Sequence, residues 1–475
     1  MLPRFLRSST ACLSTYSSRS SFNLTFNALP CSPITVQNRF YSNAHSPPSS
    51  HPPQIARIAM PDVMTLTFLG TAAGRPCGTR NVSSLALKVD KQLWVVDAGE
   101  GTQHQFMKSK LKMSAVSQIF ITHMHADHVN GLVGLLCTIS AGEGSVLPGQ
   151  TDPRIQASQA PSARPTELYG PSGLREFVRL NLRLTQSILT RPYVVHELLF
   201  EGEEEDTGKL HPSEREGRNI RQENGVWKDF TNEAGVDISA GPILHTVNCI
   251  GYIFNELPRP LPLQPNLLIP HLKNPVNASA LLAQGIKNPL SLLSQLTRTR
   301  QPITLADGTV LSPPPMGGEG RKVVVLGDTY DASGCIELAQ GADLVVHEAT
   351  NAYLPTLDES QAEGKKRDGA LITRDSVRAT AKEHGHSTPE VAGEFARAVG
   401  SKALVMNHLS VKYPNFGFDE REDDGEGTRN VRRMIKEIER LASEAWGGGE
   451  AKVARDFMEV EIPRRREVIA EQEEQ

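Results

Sequence analysis

Runs of apolar, mostly β-branched residues broken by short polar turns recur along this chain of 475 residues. MTLTFLG (64–70) predicts a first strand. SSLALKV (83–89) and QLWVVDAG (92–99) predict two more, joined by a tight Asp90-Lys91 turn. SQIFIT (117–122) is a short apolar strand that ends on a histidine cluster. KVVVLGD (322–328), DLVVHEAT (343–350) and ALVMNHL (403–409) share one form, a buried branched run closed by a polar residue. A helical period is visible in RDSVRATAKEHG (374–385) and TPEVAGEFARAVG (388–400), the second with Thr388 as N-cap and Pro389 at the first helical position. Strands with intervening helices predict an α/β domain.

Three stretches interrupt this pattern. Residues 141–165 are rich in Gly, Pro, Ser and Gln, and residues 201–233 carry the acidic run Glu203-Glu204-Glu205-Asp206; both predict solvated loops. From Leu257 to Arg300 there are seven prolines, five basic residues (Arg259, Lys273, Lys287, Arg298, Arg300) and no acid. Beyond Asp419 the chain is rich in charge, with a surface helix expected over Val431–Leu441 and an edge strand in DFMEVEIP (456–463).

Hydrophobic residues make up 39% and charged residues 22%, which excludes a chain disordered throughout. The net charge of −4 excludes binding of nucleic acid through bulk charge, so any such contact must be local. No apolar stretch reaches 18 residues, which argues against a membrane-spanning helix. Six cysteines without a C-x-x-C pair exclude a disulfide scaffold and fit a reducing compartment.

The first 61 residues differ from the rest. They hold Arg4, Arg7, Arg19, Arg39 and Arg57 and no Asp, Glu or Lys, and twelve serines fall in the first fifty positions. That composition is the mark of a mitochondrial or plastid transit peptide. Arg39-Phe40-Tyr41-Ser42 resembles a matrix-protease site, so residues 1–41 are expected to be a mitochondrial presequence and 42–61 a linker. Losing four arginines and no acids would lower the net charge from −4 to −8. A start at Met60 or Met64 would give an untargeted cytosolic or nuclear form. The folded domain is expected over 62–465, with a charged tail at 466–475.

The chemistry lies in the histidines. His123-Met124-His125-Ala126-Asp127-His128 places three imidazoles and a carboxylate within six residues, directly after a strand. Imidazole is the commonest metal ligand, and Asp adds a hard anionic oxygen. Further ligands should stand at other strand ends, where α/β folds collect them, and His245, Asp328 and His408 hold such positions. Five His and two Asp fit two zinc ions sharing one carboxylate, with manganese as the alternative metal.

This order of motifs resembles the metallo-β-lactamase superfamily. Finer marks resemble tRNase Z, the family that trims the 3′ trailer from precursor tRNA. They are Asp97-Ala98-Gly99-Glu100-Gly101-Thr102-Gln103, Gly327-Asp328-Thr329, His347-Glu348-Ala349-Thr350 and His386-Ser387-Thr388. Arg80-Asn81 resembles the end of that family's early loop, with Pro76 in place and Gly78 where Lys is expected. The resemblance covers roughly residues 64–415, in the order of the short, single-domain form.

The resemblance implies a four-layer αββα sandwich with a protruding arm. It implies that His123, His125 and His245 hold one zinc, that Asp127, His128 and His408 hold the other, and that Asp328 bridges them. Two such ions stand about 3.5–4 Å apart and flank a phosphoryl group. Asp127 would also accept the proton of the attacking water, and His386, oriented by Glu348, would serve the leaving 3′-oxygen. Asp97 would stand behind a ligand imidazole. The arm would be residues 256–302, its tip at Gly285-Ile286-Lys287-Asn288-Pro289. Lys287, Arg298 and Arg300 there, and Arg80, Asn81, Thr102 and Gln103 near the site, would touch precursor tRNA. Homodimerisation is implied as well. Two other readings share the scaffold: a different hydrolase such as a phosphodiesterase or arylsulfatase, and a non-catalytic RNA-binding module.

Overall fold

The computed structural model describes residues 63–140, 155, 158, 163–258, 260–317, 319–367, 369–415 and 426–464. The expected presequence, the linker, Met60, Arg259, the tail and nearly all of 141–165 lie outside the described residues.

Two sheets form the centre. The first contains β1 (Met64–Gly70), β2 (Ser84–Val89), β3 (Gln92–Val96), β4 (Val116–Phe120), β5 (Thr166–Pro171), β6 (Tyr193–Leu199), β7 (Glu214–Arg215) and β8 (Asn219–Arg221). The second contains β9 (Trp227–Glu233), β10 (Val236–Ile243), β11 (Cys249–Glu256), β14 (Lys322–Val325), β15 (Leu344–Glu348), β18 (Leu404–Asn407) and β19 (Lys452–Val453). The short strands β12 (Ile303–Thr304) with β13 (Val310–Leu311), and β16 (Lys366–Arg367) with β17 (Ala370–Leu371), form separate hairpins. The last strand, β20 (Glu459–Glu461), pairs antiparallel with β1 and is the edge of the first sheet, as expected. The second sheet runs β19-β18-β15-β14-β11-β10-β9, parallel from β19 to β14.

Alternation along the strands builds the layers. Val323 and Val325 of β14 face inward with Phe68, Trp94, Phe120 and Phe254, whereas Val324 faces outward. Phe120 stacks at 5.2 Å on Tyr169 and meets Phe254 edge-on at 5.3 Å, filling the space between the sheets. Outside the first sheet lie α1 (Thr102–Lys108), α2 (Ala126–Val129), α3 (Leu132–Ser140) and α4 (Leu174–Leu184). Outside the second lies α9 (Pro389–Ala398) with α10 (Glu426–Trp446), and α8 (Arg374–Glu383) precedes them. This is the four-layer αββα sandwich.

Four local expectations change. The acidic stretch 201–233 is a loop only over 201–213, as expected, and beyond it supplies β7, β8 and β9. Two of its acids are struts, since Arg179 of α4 grips Glu214 at 2.7 Å and pairs with Asp206, whereas Glu204 and Glu205 are exposed, the latter meeting Arg221 at 3.1 Å. The helix expected over Val431–Leu441 runs from Glu426 to Trp446 and buries Ile435, Ile438, Leu441, Ala442 and Trp446, so it is half core and half surface. Strand β3 stops at Val96 because Asp97 adopts a φ of 59°. Thr388 does precede Pro389 at the start of α9, but its hydroxyl makes no cap hydrogen bond.

Between β11 and β14 stands the arm. It is not a Pro-rich coil: α5 (Pro265–Lys273), α6 (Pro275–Ala283), α7 (Ser291–Thr299) and the β12–β13 hairpin enclose their own cluster of Leu272, Leu281, Leu292, Leu296, Leu305 and Leu311. Gly285, at φ +83°, turns the chain out of α6 at the expected tip. At the arm's root, Glu256 and Arg321 form a buried pair, with Nε to Oε2 at 2.7 Å and Nη2 to Oε1 at 3.0 Å. Among the described residues no helix is long and apolar enough to cross a membrane.

Candidate metal centre

The centre stands where strands β4, β14, β15 and β18 end. Beyond β4 the chain passes Thr122 and turns into α2, so His123, His125, Asp127 and His128 project from one compact turn. Gly99 allows that turn to close, because a Cβ there would stand 2.2 Å from the Asp127 carbonyl oxygen. His245 lies in the β10–β11 turn, Asp328 follows β14, and His408 follows β18 with a φ of 55°. Glu348 is the last residue of β15, and His386 follows α8.

All seven expected ligands converge. His123, His125, His245 and Asp328 form one group, and Asp127, His128 and His408 a second, the ligand-type atoms of each lying within 4.8 Å of one another. The His125 Nδ1 is 3.1 Å from both the His123 Nε2 and the His245 Nε2. In the second group the His408 Nε2 is 3.2 Å from the His128 Nε2 and from the Asp127 Oδ2. Asp328 stands between them, its Oδ2 3.7 Å from the His123 Nε2 and 3.4 Å from the His128 Nε2.

Hydrogen bonds behind the rings fix which nitrogen keeps its lone pair. The His128 Nδ1 donates to the Asp97 Oδ2 at 2.7 Å, as expected of that carboxylate. The Thr122 hydroxyl donates to Asp97 and takes the His123 Nδ1 at 3.0 Å. The His245 Nδ1 donates to the Gly385 carbonyl at 2.7 Å. Across the site the pattern repeats: Glu348 takes the His386 Nδ1 at 3.0 Å and the Thr350 hydroxyl at 2.7 Å, and Thr350 takes the His408 Nδ1 at 3.2 Å. Thus two buried carboxylates, Asp97 and Glu348, each hold one ring directly and a second through a threonine. Asp97→Asn is expected to weaken metal affinity by about 10–100-fold, read by competition with a chelator. An unchanged affinity would remove Asp97 from this role.

The Nε2 atoms of His123, His245, His128 and His408 are left to face the site, with the His125 Nδ1 between the first two. At 3.1–3.2 Å they repel unless a cation lies between them. Nitrogens bound to a tetrahedral zinc stand about 3.3 Å apart, so the donor set fits. The charges agree. Burial alone would raise Asp328, yet the rings of His408 and His128 hold it well below the usual carboxylate range. Asp127 is lowered against its own burial by His408 and His128, and its Oδ2 also takes the Gly74 amide at 2.7 Å. Desolvation pushes His123, His125 and His245 below ordinary imidazole, toward the neutral form that binds metal.

His386 behaves differently. Burial would lower its pKa, but the Glu348 carboxylate outweighs burial and raises it to about 9. It is a protonated imidazole at neutral pH, part-buried and beside Asp328 at 3.9 Å.

The expected RNA contacts divide. Arg80 is 1% exposed, and its guanidinium donates to Thr71 Oγ1, Ala454 O and Tyr413 O, so it is a strut, not an RNA contact. Thr102 is fully buried with its hydroxyl on the Gly99 carbonyl, and it too is corrected. Asn81 is half-buried, with its side-chain amide on Glu100 O, and Gln103 is half-buried over Gly134. On the arm, Lys287 and Arg298 are exposed, whereas Arg300 ends α7 at φ 53° and donates to Pro314 O. The sequence reading missed Thr122, Thr350, the Gly74 amide and Asp456. Thr350 lies within the His347–Thr350 motif, but Asp456, which takes Asn81 N, Thr71 and Gln105, has no local signal.

Comparison with known proteins gives the following. A family profile for "Anti-Pycsar protein Apyc1" matches residues 64–141. Zinc phosphodiesterase ELAC protein 1 of Bos taurus is 34% identical over 417 residues, covering 84% of this chain and 99% of the relative. Ribonuclease Z of Streptococcus sanguinis (strain SK36) is 30% identical over 388 residues, 80% of this chain and 99% of the relative. Among solved structures, human tRNase Z, short form, is similar with 26% identity and a TM-score of 0.49, covering 84% of this chain and all of that one.

Proposed function

The chain belongs to the ribonuclease Z family, and from that premise we propose that it is a metal-dependent endoribonuclease that removes the 3′ trailer from precursor tRNA. The convergence of His123, His125, Asp127, His128, His245, Asp328 and His408 carries the reading, with the protonated His386 held beside them by Glu348. We propose two zinc ions, one among His123, His125 and His245, the other among Asp127, His128 and His408, with Asp328 between. Bound there, the ions would supply Lewis-acid charge and a strong oxygen nucleophile at neutral pH.

The protein's own groups complete the chemistry. Asp127, fixed by the Gly74 amide, is ionised and accepts the proton of the attacking water. Water oxygen bonds to phosphorus as the bond from phosphorus to the 3′-oxygen breaks. His386 gives its proton to that oxygen, and Glu348 stabilises the imidazolium until the ring gives it up. The products are a tRNA 3′-hydroxyl and a trailer 5′-phosphate. The test is incubation of purified protein with a trailer-bearing precursor, with and without chelator, mapping the cut. A cut that survives chelation, or one not at the trailer boundary, defeats the reading.

The arm's placement supports a working homodimer. His245 marks the catalytic end of β11 and Glu256 the other end. Strand β11, Cys249–Glu256, spans about 23 Å from the turn that holds His245, so the arm leaves from the end of the sandwich remote from the site. An arm so placed serves the site of a second copy better than its own. Lys287→Ala with Arg298→Ala should raise KM for precursor tRNA by about tenfold or more while sparing a small phosphodiester. Co-expression of that chain with an Asp127→Ala chain should bring back cleavage at low KM, because the intact arm of the second chain serves the intact site of the first. If KM stays high in the mixture, the two-copy arrangement fails.

We also propose that residues 1–41 direct the protein to the mitochondrial matrix. A reporter fused to them that stays outside mitochondria would count against this.

A further inference from the structure

A second basic surface, unrelated to the arm, lies on α10. Arg429, Arg432, Arg433 and Lys436 recur at the spacing of one helix face. Lys452 of β19 and Arg455 beyond it come alongside, and together Arg432, Lys436, Lys452 and Arg455 line a cleft of about 560 Å³. Its floor is apolar: Ile435, Val453 and Met458. Among the described residues, Glu426 precedes Arg429 by one turn and Glu437 pairs with Arg440. Glu439 lines the cleft and accepts the Val453 amide at 3.0 Å, and the exposed Glu450 pairs with Lys452 at 2.9 Å. Four cations and one acid thus line a cleft in a chain of net charge −4.

The segment Arg455–Met458 links the cleft to the catalytic rim through the hydrogen bonds of Asp456. Arg455 and Met458 line the cleft, while Asp456 and Phe457 between them line a neighbouring cavity of about 300 Å³ with Asn81 and Lys108. Asp456 holds Thr71 and Asn81, and the loop between those two residues supplies the Gly74 amide to Asp127. Lys452 pairs with Val405, three residues before His408 on the adjacent strand, so the two are roughly 11 Å apart at Cα. A cationic rim over an apolar floor is how proteins hold single-stranded nucleic acid, phosphates outward and bases inward.

We propose that this cleft is the path of the single-stranded 3′ trailer as it leaves the scissile phosphate. The inference rests on the reading of the chain as a precursor-tRNA endonuclease, and it names where one part of that substrate runs. A double-stranded stem is the poorer occupant, because helical RNA is read by shape across an open face.

The test reverses charge at two exposed positions outside the catalytic machinery, Lys436→Glu and Lys452→Glu, in the metal-loaded full chain. KM for a precursor with a long trailer should rise about tenfold, while KM for one with a single-nucleotide trailer and the rate on a small phosphodiester stay unchanged. The salt dependence of binding should weaken by about 0.7 in log–log slope for each phosphate that the protein no longer neutralises. In parallel, a labelled single-stranded RNA oligonucleotide should bind the chelated wild type about tenfold more tightly than the double variant. Equal rises in KM with both trailers would place the tRNA body in the cleft and overturn the proposal, as would no rise with either. If the wild type cuts neither precursor yet the oligonucleotide discriminates, the cleft stands and the processing reading falls.

Discussion

An Asp328→Ala protein is expected to lose both cation sites together and to cut precursor tRNA at least about 10⁴-fold more slowly, equivalent to about 5 kcal/mol of transition-state stabilisation. The residue has this reach because its carboxylate is shared: its Oδ2 lies 3.4, 3.7 and 3.9 Å from the Nε2 atoms of His128, His123 and His245, and its Oδ1 3.3 Å from the His408 Nδ1. Removing a ligand that belongs to one group alone, such as His125, should leave the other group able to bind. Elemental analysis of gently purified protein separates the cases: Asp328→Ala should hold almost no metal and His125→Ala an intermediate amount. A fully loaded Asp328→Ala protein would show that the carboxylate does not bridge.

The second large effect is on the leaving group. His386→Ala should lower kcat by about 10²–10⁴-fold, with metal content and KM nearly unchanged. The pH profile carries the sharper test. His386 acts in its protonated form, and its pKa is raised to about 9 by Glu348 against the effect of burial. Its proton is therefore held below that value, and kcat should fall as pH rises through it. Glu348→Gln removes the supporting charge, so that alkaline limb should move to lower pH. A profile that does not move would detach Glu348 from this role. A precursor with a better leaving group at the 3′-oxygen should recover much of the rate lost in His386→Ala, because less proton donation is needed.

Much of this centre was legible in the sequence. His123 to His128 follow an apolar strand, and His245, Asp328 and His408 close other strands; side chains at strand ends emerge at one rim whatever the loops do. Asp97 was legible for the same reason. Arg80 and Thr102 misled because a motif gives a position and not a direction. Arg80 is turned inward by Thr71, Ala454 and Tyr413, partners up to 374 residues away that no local pattern reveals. Glu204 and Glu205 are solvated as they looked, but Asp206 and Glu214 are not, because their cation, Arg179, sits on a helix earlier in the chain. The apolar stripe of α10 continues to Trp446, and cutting it at Leu441 hid the half that packs on α9.

The pairing of β1 with β20 bears on biosynthesis. The first strand of the sandwich to leave the ribosome lies between β2, which follows at once, and β20, which is almost the last segment made. At about 5–20 residues per second, the roughly 390 intervening residues take about 20–80 s. Through that interval one side of β1 offers unpaired amide and carbonyl groups, the kind of edge on which nascent chains join one another. The ligands keep the same schedule, since His408 emerges long after His123. Metal capture is therefore a late event in the synthesis of the chain.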